Sequence, residues 1–326
     1  MSSINQISVI VPSNHHHHEL LKVVGAICYQ TITPSELIIV DSTSPGGVCP
    51  DEIQNLCALK SIKLLYVYHK DAFPGKARNI GLNIANGQII AFLDVKTIPI
   101  PQWLEISLKV VAGKRFLGVF GGTSFIAKTS FERLVRDAFY GVKICKTLPG
   151  SVFRREVIVA AGQFIDWVRA GEDTEWMLRV GLLKLPVIYP NAALVEYHGL
   201  IGISMHEILK KWHRNYTASY SLPHLFPQKL FLWLFLYPLI VFISVNWNYL
   251  FANWHEDSAL YIAHITKMVA IAPILAYLIT RGILLPIRRD VSFLSLFPFR
   301  FIAIAATCLM ADLIKAFVFT VPRFRN

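Results

Sequence analysis

Three carboxylates occupy positions from which they could bind a ligand or move a proton. Asp41 and Asp94 each follow an apolar run, and Asp41 precedes small turn residues, so it can accept hydrogen bonds from a ligand or form an ordinary Asx-type turn. Asp173 follows Glu172 ahead of the helical pattern at 174–179. A carboxylate there can act as a general base, and it also suits a helix start favoured by the helix dipole. These two interpretations of Asp173 are compatible.

Basic and amide side chains form a second group of candidates. Arg78 and Asn79 follow a Pro-Gly pair near the third apolar run. A guanidinium beside an amide suits a diphosphate, because the planar fork donates several hydrogen bonds to phosphate oxygens. The alternative for Arg78 is a capping or packing role on a surface helix. His198 follows a strand-like run, where it could ligate a metal or serve the structure alone.

The elements that must position these residues alternate along the chain. Apolar, β-branched runs occupy residues 7–11, 37–40, 62–68 and 89–93, separated by helix-length segments. This pattern predicts a parallel, doubly wound α/β sheet. Ligands of such sheets lie beyond the carboxyl ends of the strands, where Pro12, Asp41, Lys70 and Asp94 should meet. Residues 118–198 have a mixed pattern, and we expect them to complete the sheet.

Five segments in a fixed order resemble the family-2 glycosyltransferases. They are ISVIVPSN at 7–14, LIIVDSTS at 37–44, GKARNIGLNIANGQIIAFLD at 75–94, GEDTEWMLR at 171–179 and YHG at 197–199. Each is weakly specific alone, and their joint order carries the resemblance, which covers about the first 215 residues. It implies a GT-A fold (a Rossmann-like nucleotide-binding domain), a nucleotide-sugar donor and inversion at the anomeric carbon.

The resemblance also implies roles for individual residues. Asp41 would contact the base of the nucleotide, usually uracil, and Asp173 would be the catalytic base, with Glu172 orienting the acceptor. Asp94 would hold a divalent metal, Mn²⁺ or Mg²⁺, against the donor diphosphate, with His198 nearby. The residues expected to bind the nucleotide are Pro12, Asp41, Arg78, Asn79 and Lys96.

Lys96 departs from the family pattern, because it replaces the second aspartate of the DxD motif. A charged lysine cannot ligate Mg²⁺ or Mn²⁺, which prefer oxygen ligands. Either Asp94 and His198 retain a weakened metal site, or the Lys96 ammonium neutralises part of the diphosphate charge itself. A third interpretation is that Lys96 points to solvent.

The composition is that of a soluble domain joined to a membrane region. Hydrophobic residues make up 54% of the 326 residues and charged residues only 16%, an apolar excess that lies mainly after Lys229. The formal charge of +11 does not require nucleic acid, since many basic residues flank the apolar segments. The five cysteines form no Cys-X-X-Cys pair, so neither a zinc site nor a disulfide framework is indicated.

The predicted organisation is a cytosolic GT-A-like domain over 1–225 and a membrane region over 226–326. Candidate spans are 230–251, 260–280 and 301–321, the third of which could instead lie in the interface. Its Asp312 and Lys315 are spaced to pair on one helix face. Basic residues precede the first span and follow the second, so the positive-inside rule places the large domain in the cytosol, at the plasma membrane.

We therefore expect an inverting glycosyltransferase that uses a nucleotide sugar, most simply a UDP-sugar, and a membrane-associated acceptor. The acceptor would be a lipid-linked sugar or a surface polysaccharide precursor, by analogy of fold. The alternative is a catalytically inactive membrane scaffold that binds a nucleotide sugar, a hypothesis that Lys96 motivates. A transporter subunit would leave the motif series unexplained.

Overall fold

The structure, a computed structural model of the chain, describes residues 6–14, 17–43, 48–113, 115–222 and 228–320. It consists of two compact units. The first comprises Met1–Arg136 and Val142–Ser204, and the second comprises Asp137–Gly141 and Met205–Asn326. This division lies nearer the amino terminus than residue 225, and the predicted cytosolic and membrane assignments of the two parts stay predictions.

The first unit alternates strands and helices as the apolar pattern predicted. Its strands are β1 (Ile7–Ser13), β2 (Glu36–Asp41), β3 (Lys63–Tyr68), β4 (Ile89–Phe92), β5 (Thr97–Pro99), β6 (Gly118–Phe125), β7 (Cys145–Arg154), β8 (Val187–Ile188) and β9 (Val195–Tyr197). Its helices are α1 (His17–Cys28), α2 (Asp51–Leu59), α3 (Pro74–Ile84), α4 (Trp103–Ala112), α5 (Ser130–Phe139), which ends in the second unit, α6 (Arg155–Ala161) and α7 (Glu172–Leu182).

The strands form one mixed sheet in the order β3-β2-β1-β4-β7-β6-β9-β5, with β8 paired to β6. The first four strands are parallel, which confirms the sequence prediction for that part. β7 then pairs antiparallel to both β4 and β6. Residues 118–198 thus complete the sheet, as expected, but they do so with mixed strand directions.

The apolar runs form central strands because helices cover both faces of the sheet. Residues of β1 and β2 are almost fully buried, with Val9, Ile10, Ile38 and Ile39 each 0% exposed. One core lies between the sheet and helices α1, α2 and α4. The other lies between the sheet and helices α3, α6 and α7.

Strand register brings the candidate ligand-binding residues to one edge. Ser13 pairs with Asp41, and Asp41 pairs with Tyr68, at the carboxyl ends of β1, β2 and β3. Asp94 follows the end of β4, which pairs with β1 as far as Ile10 and Phe92. The carboxyl edge of the parallel strands is therefore the polar edge of the sheet.

The second unit is helical. It contains α8 (Met205–Tyr220), α9 (Gln228–Ala252), α10 (Ile265–Tyr277), a π-helix (Leu278–Leu284), α11 (Leu285–Arg288), a 3₁₀-helix (Phe293–Leu296) and α12 (Arg300–Thr320). Within the described residues, two helical segments are long and apolar enough to cross a membrane, Ile265–Arg288 and Arg300–Phe319. The described apolar part of α9 is shorter, Pro238–Ala252.

These helices follow the three predicted spans with shifted bounds. The second predicted span begins before α10, and helix continues past residue 280 through the π-helix to Arg288. The third matches α12, and residue 321 lies outside the described residues.

Asp312 is paired across helices rather than along its own. It accepts hydrogen bonds from Arg281 at 2.6 and 2.7 Å and from the Tyr277 hydroxyl at 2.8 Å. The ammonium of Lys315, the partner suggested by spacing, lies 5.7 Å from the centre of the Tyr216 ring. Arg281 Nη2, which contacts both carboxylate oxygens, and the Tyr277 hydroxyl therefore occupy Asp312 in place of the i,i+3 pairing that the sequence allowed.

Glu36 ties the amino ends of the central strands together. It is 4% exposed, and its Oε1 accepts hydrogen bonds from the Ser8 hydroxyl and the Asn86 amide, both at 2.6 Å. The Gly87 amide in turn donates to Ser8 Oγ at 2.8 Å. Burial by itself raises the pKa of Glu36, but these hydrogen bonds and the charge of Lys63 outweigh it, so the net pKa is below the ordinary value of 4.5.

Replacing Glu36→Gln should therefore destabilise the protein by about 1–3 kcal/mol near neutral pH, because the amide cannot accept both bonds as a charged group does. The lowered pKa means that this stabilisation is present above pH 4.5 and is lost as the pH falls through the folded-state pKa. The thermal unfolding midpoints of wild type and variant, measured from pH 7 to 3, should thus converge in acid.

The matched control is Glu156→Gln, since Glu156 is exposed in the first turn of α6. This substitution should change stability by less than about 0.5 kcal/mol at every pH. A constant difference between wild type and Glu36→Gln across the pH range would contradict the assigned charge of Glu36.

Candidate active site

Asp41 forms a rigid acceptor at the end of β2. Its Oδ1 accepts hydrogen bonds from the Thr43 hydroxyl at 2.5 Å and the Thr43 amide at 3.3 Å, and its Oδ2 accepts one from the Tyr66 hydroxyl at 3.0 Å. Burial, followed by the nearby Asp41 charge, raises the pKa of Tyr66, which keeps its hydroxyl a donor. The Asx-type turn weighed from the sequence is present, and it fixes the carboxylate at the sheet edge.

A tight turn after β4 carries Asp94 and Lys96. The Thr97 amide donates to the Asp94 carbonyl at 2.9 Å, and the Asp94 amide donates to Thr97 Oγ1 at 2.9 Å. Val95 between them is 7% exposed and belongs to the core, so it anchors the turn. The turn thus holds Asp94 and Lys96 at fixed positions on the carboxyl edge.

His198 lies beside this turn because β5 and β9 pair antiparallel. Thr97 is opposite Tyr197, and the His198 amide donates to the Lys96 carbonyl at 2.8 Å. The His198 Nε2 lies 3.0 Å from Glu196 Oε2. Residues far apart in sequence that were assigned to one site therefore meet here.

Arg78 connects Asp94, which follows β4, to Glu172, the next candidate residue. Its guanidinium is 2% exposed, and it donates to Asp94 Oδ1 at 2.8 Å and to Glu172 Oε1 at 2.7 Å. Burial lowers the pKa of Arg78, but the charges of Asp94 and Glu172 outweigh it and keep the guanidinium charged. These contacts commit Arg78 within the protein, and direct contact with a diphosphate stays a prediction.

Glu172 and Asp173 begin α7 and have different environments. Gly171 precedes them with a positive φ of 88°, a conformation that glycine adopts without strain. Glu172 is 3% exposed, and burial raises its pKa to about 7, with Arg78 opposing the rise and Asp173 adding to it. Asp173 is half-exposed, and its Oδ1 accepts the Thr174 amide at 2.7 Å. Of the two carboxylates, Asp173 is the one that solvent can reach.

Asn79 and Gly75 hold the loop before α7 against α3. The Asn79 side chain donates to the Phe164 carbonyl and accepts from the Phe164 amide, both at 2.9 Å. A Cβ added to Gly75 would lie 2.0 Å from the Ile165 carbonyl oxygen, so only glycine allows this approach. Asn79 is thus a positioning residue in the structure, and its predicted contact with the nucleotide has no supporting contact here.

Two aromatic rings pack beside the Arg78 guanidinium. Phe164 stacks on Trp176 with ring centres 5.0 Å apart, and the Arg78 guanidinium carbon lies 5.6 Å from the centre of the Phe164 ring. Trp176 donates to the Gly162 carbonyl at 2.8 Å. This packing excludes water on one side of the ion pairs, which strengthens them.

The donor set around Asp94 does not fit a metal held by protein ligands. One oxygen of Asp94 already binds Arg78, Lys96 is a cation, and His198 contacts Glu196. Throughout the described part of the chain, no three His, Cys, Asp or Glu side chains cluster so that they could hold an ion. A hard divalent cation bound here would take nearly all its oxygen ligands from groups other than the protein side chains around Asp94.

Sequence reasoning missed the residues that hold the candidates in place. Tyr66 and Glu196 have no motif of their own, although Glu196 lies two residues before the candidate His198 on an alternating strand. The pairing of Arg78 with Asp94 and Glu172 joins residues 16 and 94 positions apart. No local signal could have revealed that pairing.

Comparisons with known proteins agree with this geometry. Residues 8–161 match the family model described as glycosyl transferase family 2. Glycosyltransferase AglE of Haloferax volcanii is 28% identical over 192 residues, which cover 55% of this chain and 62% of that protein. An uncharacterized glycosyltransferase of Rickettsia felis is 25% identical over 178 residues, covering 52% and 29% respectively. The chain spans less than two thirds of the length of these relatives.

A solved structure confirms the GT-A fold class. The mannosyltransferase PcManGT from Pyrobaculum calidifontis, in complex with GDP-Man and Mn²⁺, aligns over 95% of this chain and 87% of its own with a TM-score of 0.55. The two sequences are 16% identical, so this likeness establishes the shared fold.

Replacing Arg78→Met should lower the free energy of unfolding by about 3–5 kcal/mol, because it leaves Glu172 buried without its partner. Adding Glu172→Gln removes that uncompensated carboxylate, so the double variant should be more stable than the sum of the single changes predicts. Denaturant unfolding of the full chain in detergent, followed by tryptophan fluorescence, measures both effects. Additive losses would contradict a direct ion pair.

Proposed function

Because residues 8–161 match the model of glycosyl transferase family 2, we propose that the chain is a member of that family and transfers a sugar from a nucleotide-sugar donor with inversion at the anomeric carbon. The observation that carries the proposal is the Arg78 bridge. It fixes Asp94, at the end of β4, in one cluster with the start of α7, where Asp173 is half-exposed. This arrangement supports a donor site at Asp94 and a base at Asp173 on the same edge of the sheet.

The base of the nucleotide would bind at Asp41. Tyr66 and Thr43 hold its carboxylate in one orientation, and Oδ2, which accepts only the Tyr66 hydroxyl, retains a lone pair that can accept a base N–H. A uracil N–H requires one such acceptor, which supports a UDP-sugar as donor. Pro12 is the penultimate residue of β1 and lies opposite Val40, next to this position.

Asp173 would act as the general base. In the transfer, the acceptor oxygen bonds to the anomeric carbon, its proton passes to the Asp173 carboxylate, and the bond to the diphosphate breaks with its electron pair. One carboxylate suffices, because the diphosphate leaves as a stabilised anion and needs no acid partner. Glu172, buried behind Arg78, would position this arrangement rather than touch the acceptor.

A divalent metal is an expectation from the resemblance, and PcManGT is described with Mn²⁺. When bound, such an ion neutralises the charge of the leaving diphosphate. Since the protein ligands around Asp94 and His198 do not fit a resident ion, no step of the proposed mechanism depends on it.

The acceptor would be membrane-associated, as a lipid-linked sugar or a surface polysaccharide precursor. Large apolar side chains of the second unit are exposed, among them Phe242 at 68%, Met268 at 62% and Ile274 at 60%. An apolar surface of this kind marks a membrane or protein interface. Lipid around α9, α10 and α12 would tether the catalytic unit to the membrane. Lys210 and Lys211 before α9, and Arg288 after α10, support a cytosolic location of that unit.

Replacing Asp173→Asn should reduce kcat/KM by about 100-fold or more, because the amide cannot take the acceptor proton. The measurement is transfer and hydrolysis of UDP-, GDP- and TDP-sugars by the purified full chain in membrane lipid extract. Nucleotide affinity should be unchanged, since Asp173 acts on the acceptor side.

The matched control is Asp51→Asn, because Asp51 is an exposed carboxylate in the first turn of another helix, α2. This variant should retain wild-type turnover. Nucleotide binding without turnover of any donor by wild type would contradict the transferase and favour the inactive scaffold.

The full chain expressed in cells should remain in the membrane pellet after alkaline carbonate extraction, because peripheral proteins are released by that treatment and spanning helices are not. Immunoblotting of pellet and supernatant measures the partition. Release into the supernatant would show that α10 and α12 do not span the membrane.

A further inference from the structure

Lys96 occupies a position that the fold fixes firmly. The turn from Asp94 to Thr97 is closed by the Thr97 amide and hydroxyl, and buried Val95 anchors it in the core. The carbonyl of Lys96 is itself bound by the His198 amide at 2.8 Å. The backbone that carries the ammonium therefore has contacts on both sides of the turn.

The ammonium of Lys96 has no counterion among the residues that the structure describes. The side chain is half-buried, and among the residues described no carboxylate lies within ion-pair distance of it. The carboxylates nearest in the fold have other partners, since Asp94 Oδ1 binds Arg78 and Glu196 lies 3.0 Å from His198. A partly desolvated cation without a partner is costly unless an anion binds there.

The same contacts weaken the alternative of a metal at this edge. Arg78 neutralises part of the Asp94 charge, and Lys96 would repel a divalent cation two residues away. Among the described residues, no three His, Cys, Asp or Glu side chains are arranged so that they could hold an ion, and this includes Asp94, His198 and Glu196. A diphosphate bound at this position would contact the Lys96 ammonium, whereas the described side chains around it do not form a set of metal ligands.

We propose that the Lys96 ammonium binds the donor diphosphate in place of a divalent cation, so that nucleotide binding and sugar transfer need no added metal. The inference rests on the proposed function. As the bond between the anomeric carbon and the diphosphate oxygen breaks, the electron pair goes to that oxygen, and Lys96 stabilises the resulting charge without giving up its proton. The acceptor proton goes to Asp173.

The test is the binding of UDP, GDP and TDP to the full chain in detergent, measured by isothermal titration calorimetry in EDTA and in Mn²⁺. For the nucleotide that binds wild type most tightly, Kd should differ less than about threefold between the two conditions. Lys96→Gln should weaken binding at least about tenfold in EDTA, because the charge on the diphosphate loses its partner. Lys96→Asp should abolish binding in EDTA and restore it in Mn²⁺, since a second carboxylate creates oxygen ligands for the ion.

The matched control is Lys60→Gln. Lys60 is also half-buried, but it follows α2 at the amino edge of the sheet, with its ammonium 4.6 Å from the centre of the Tyr29 ring. Its loss should leave nucleotide binding unchanged in both buffers. Thermal unfolding of each variant verifies that it is folded, and a switch to metal dependence in Lys96→Asp cannot arise from misfolding.

Loss of nucleotide binding by wild type in EDTA would overturn the inference but would leave the proposed transferase activity standing. Nucleotide binding by Lys96→Gln as tight as that of wild type would have the same consequence. Absence of binding by all three nucleotides in both buffers would overturn the inference together with the proposed function. Asp173→Asn separates the cases further, because it should bind nucleotide as wild type does while failing to transfer sugar.

Discussion

The ion-paired guanidinium of Arg78 is the contact on which the geometry of the site depends. It is 2% exposed and joins Asp94, after β4, to Glu172, at the start of α7. Separating a buried charge from its partner carries a large free-energy cost, which holds the two carboxylates at the guanidinium. The distance between the end of the strand and the start of the helix is set by this requirement.

Several neighbouring residues hold the Arg78 ion pairs in place. Asn79 and Gly75 allow α3 to hold the loop that leads to α7, and Phe164 with Trp176 forms the apolar floor beneath the guanidinium. Glu36 performs an analogous task at the opposite edge, where it ties β1 and β2 to the start of β4. Polar groups thus fix both edges of a sheet whose faces are packed with apolar side chains. Asp173 gains a defined position from this rigidity while remaining half-exposed.

The structure also changes how several predicted site residues should be understood. Arg78 and Asn79 were predicted to bind a nucleotide, but their side chains are committed to Glu172, Asp94 and Phe164. Lys96, which the sequence left open among three interpretations, is a half-buried cation at this edge with no counterion among the described residues. Positive charge for a diphosphate is therefore available from Lys96 rather than from Arg78, whose guanidinium is already paired with Glu172 and Asp94.

The sequence by itself determined the parallel strands, the helical second unit and the identity of the polar residues at strand ends. These follow from local properties, namely apolar runs, helix-length spacing and charges that cannot be buried without partners. Only the tertiary structure decided that Arg78 binds two carboxylates, that His198 lies beside Lys96 and that Asp312 pairs with Arg281. Each is a contact between residues distant in the chain, and such contacts depend on strand register and helix packing, which local patterns do not specify.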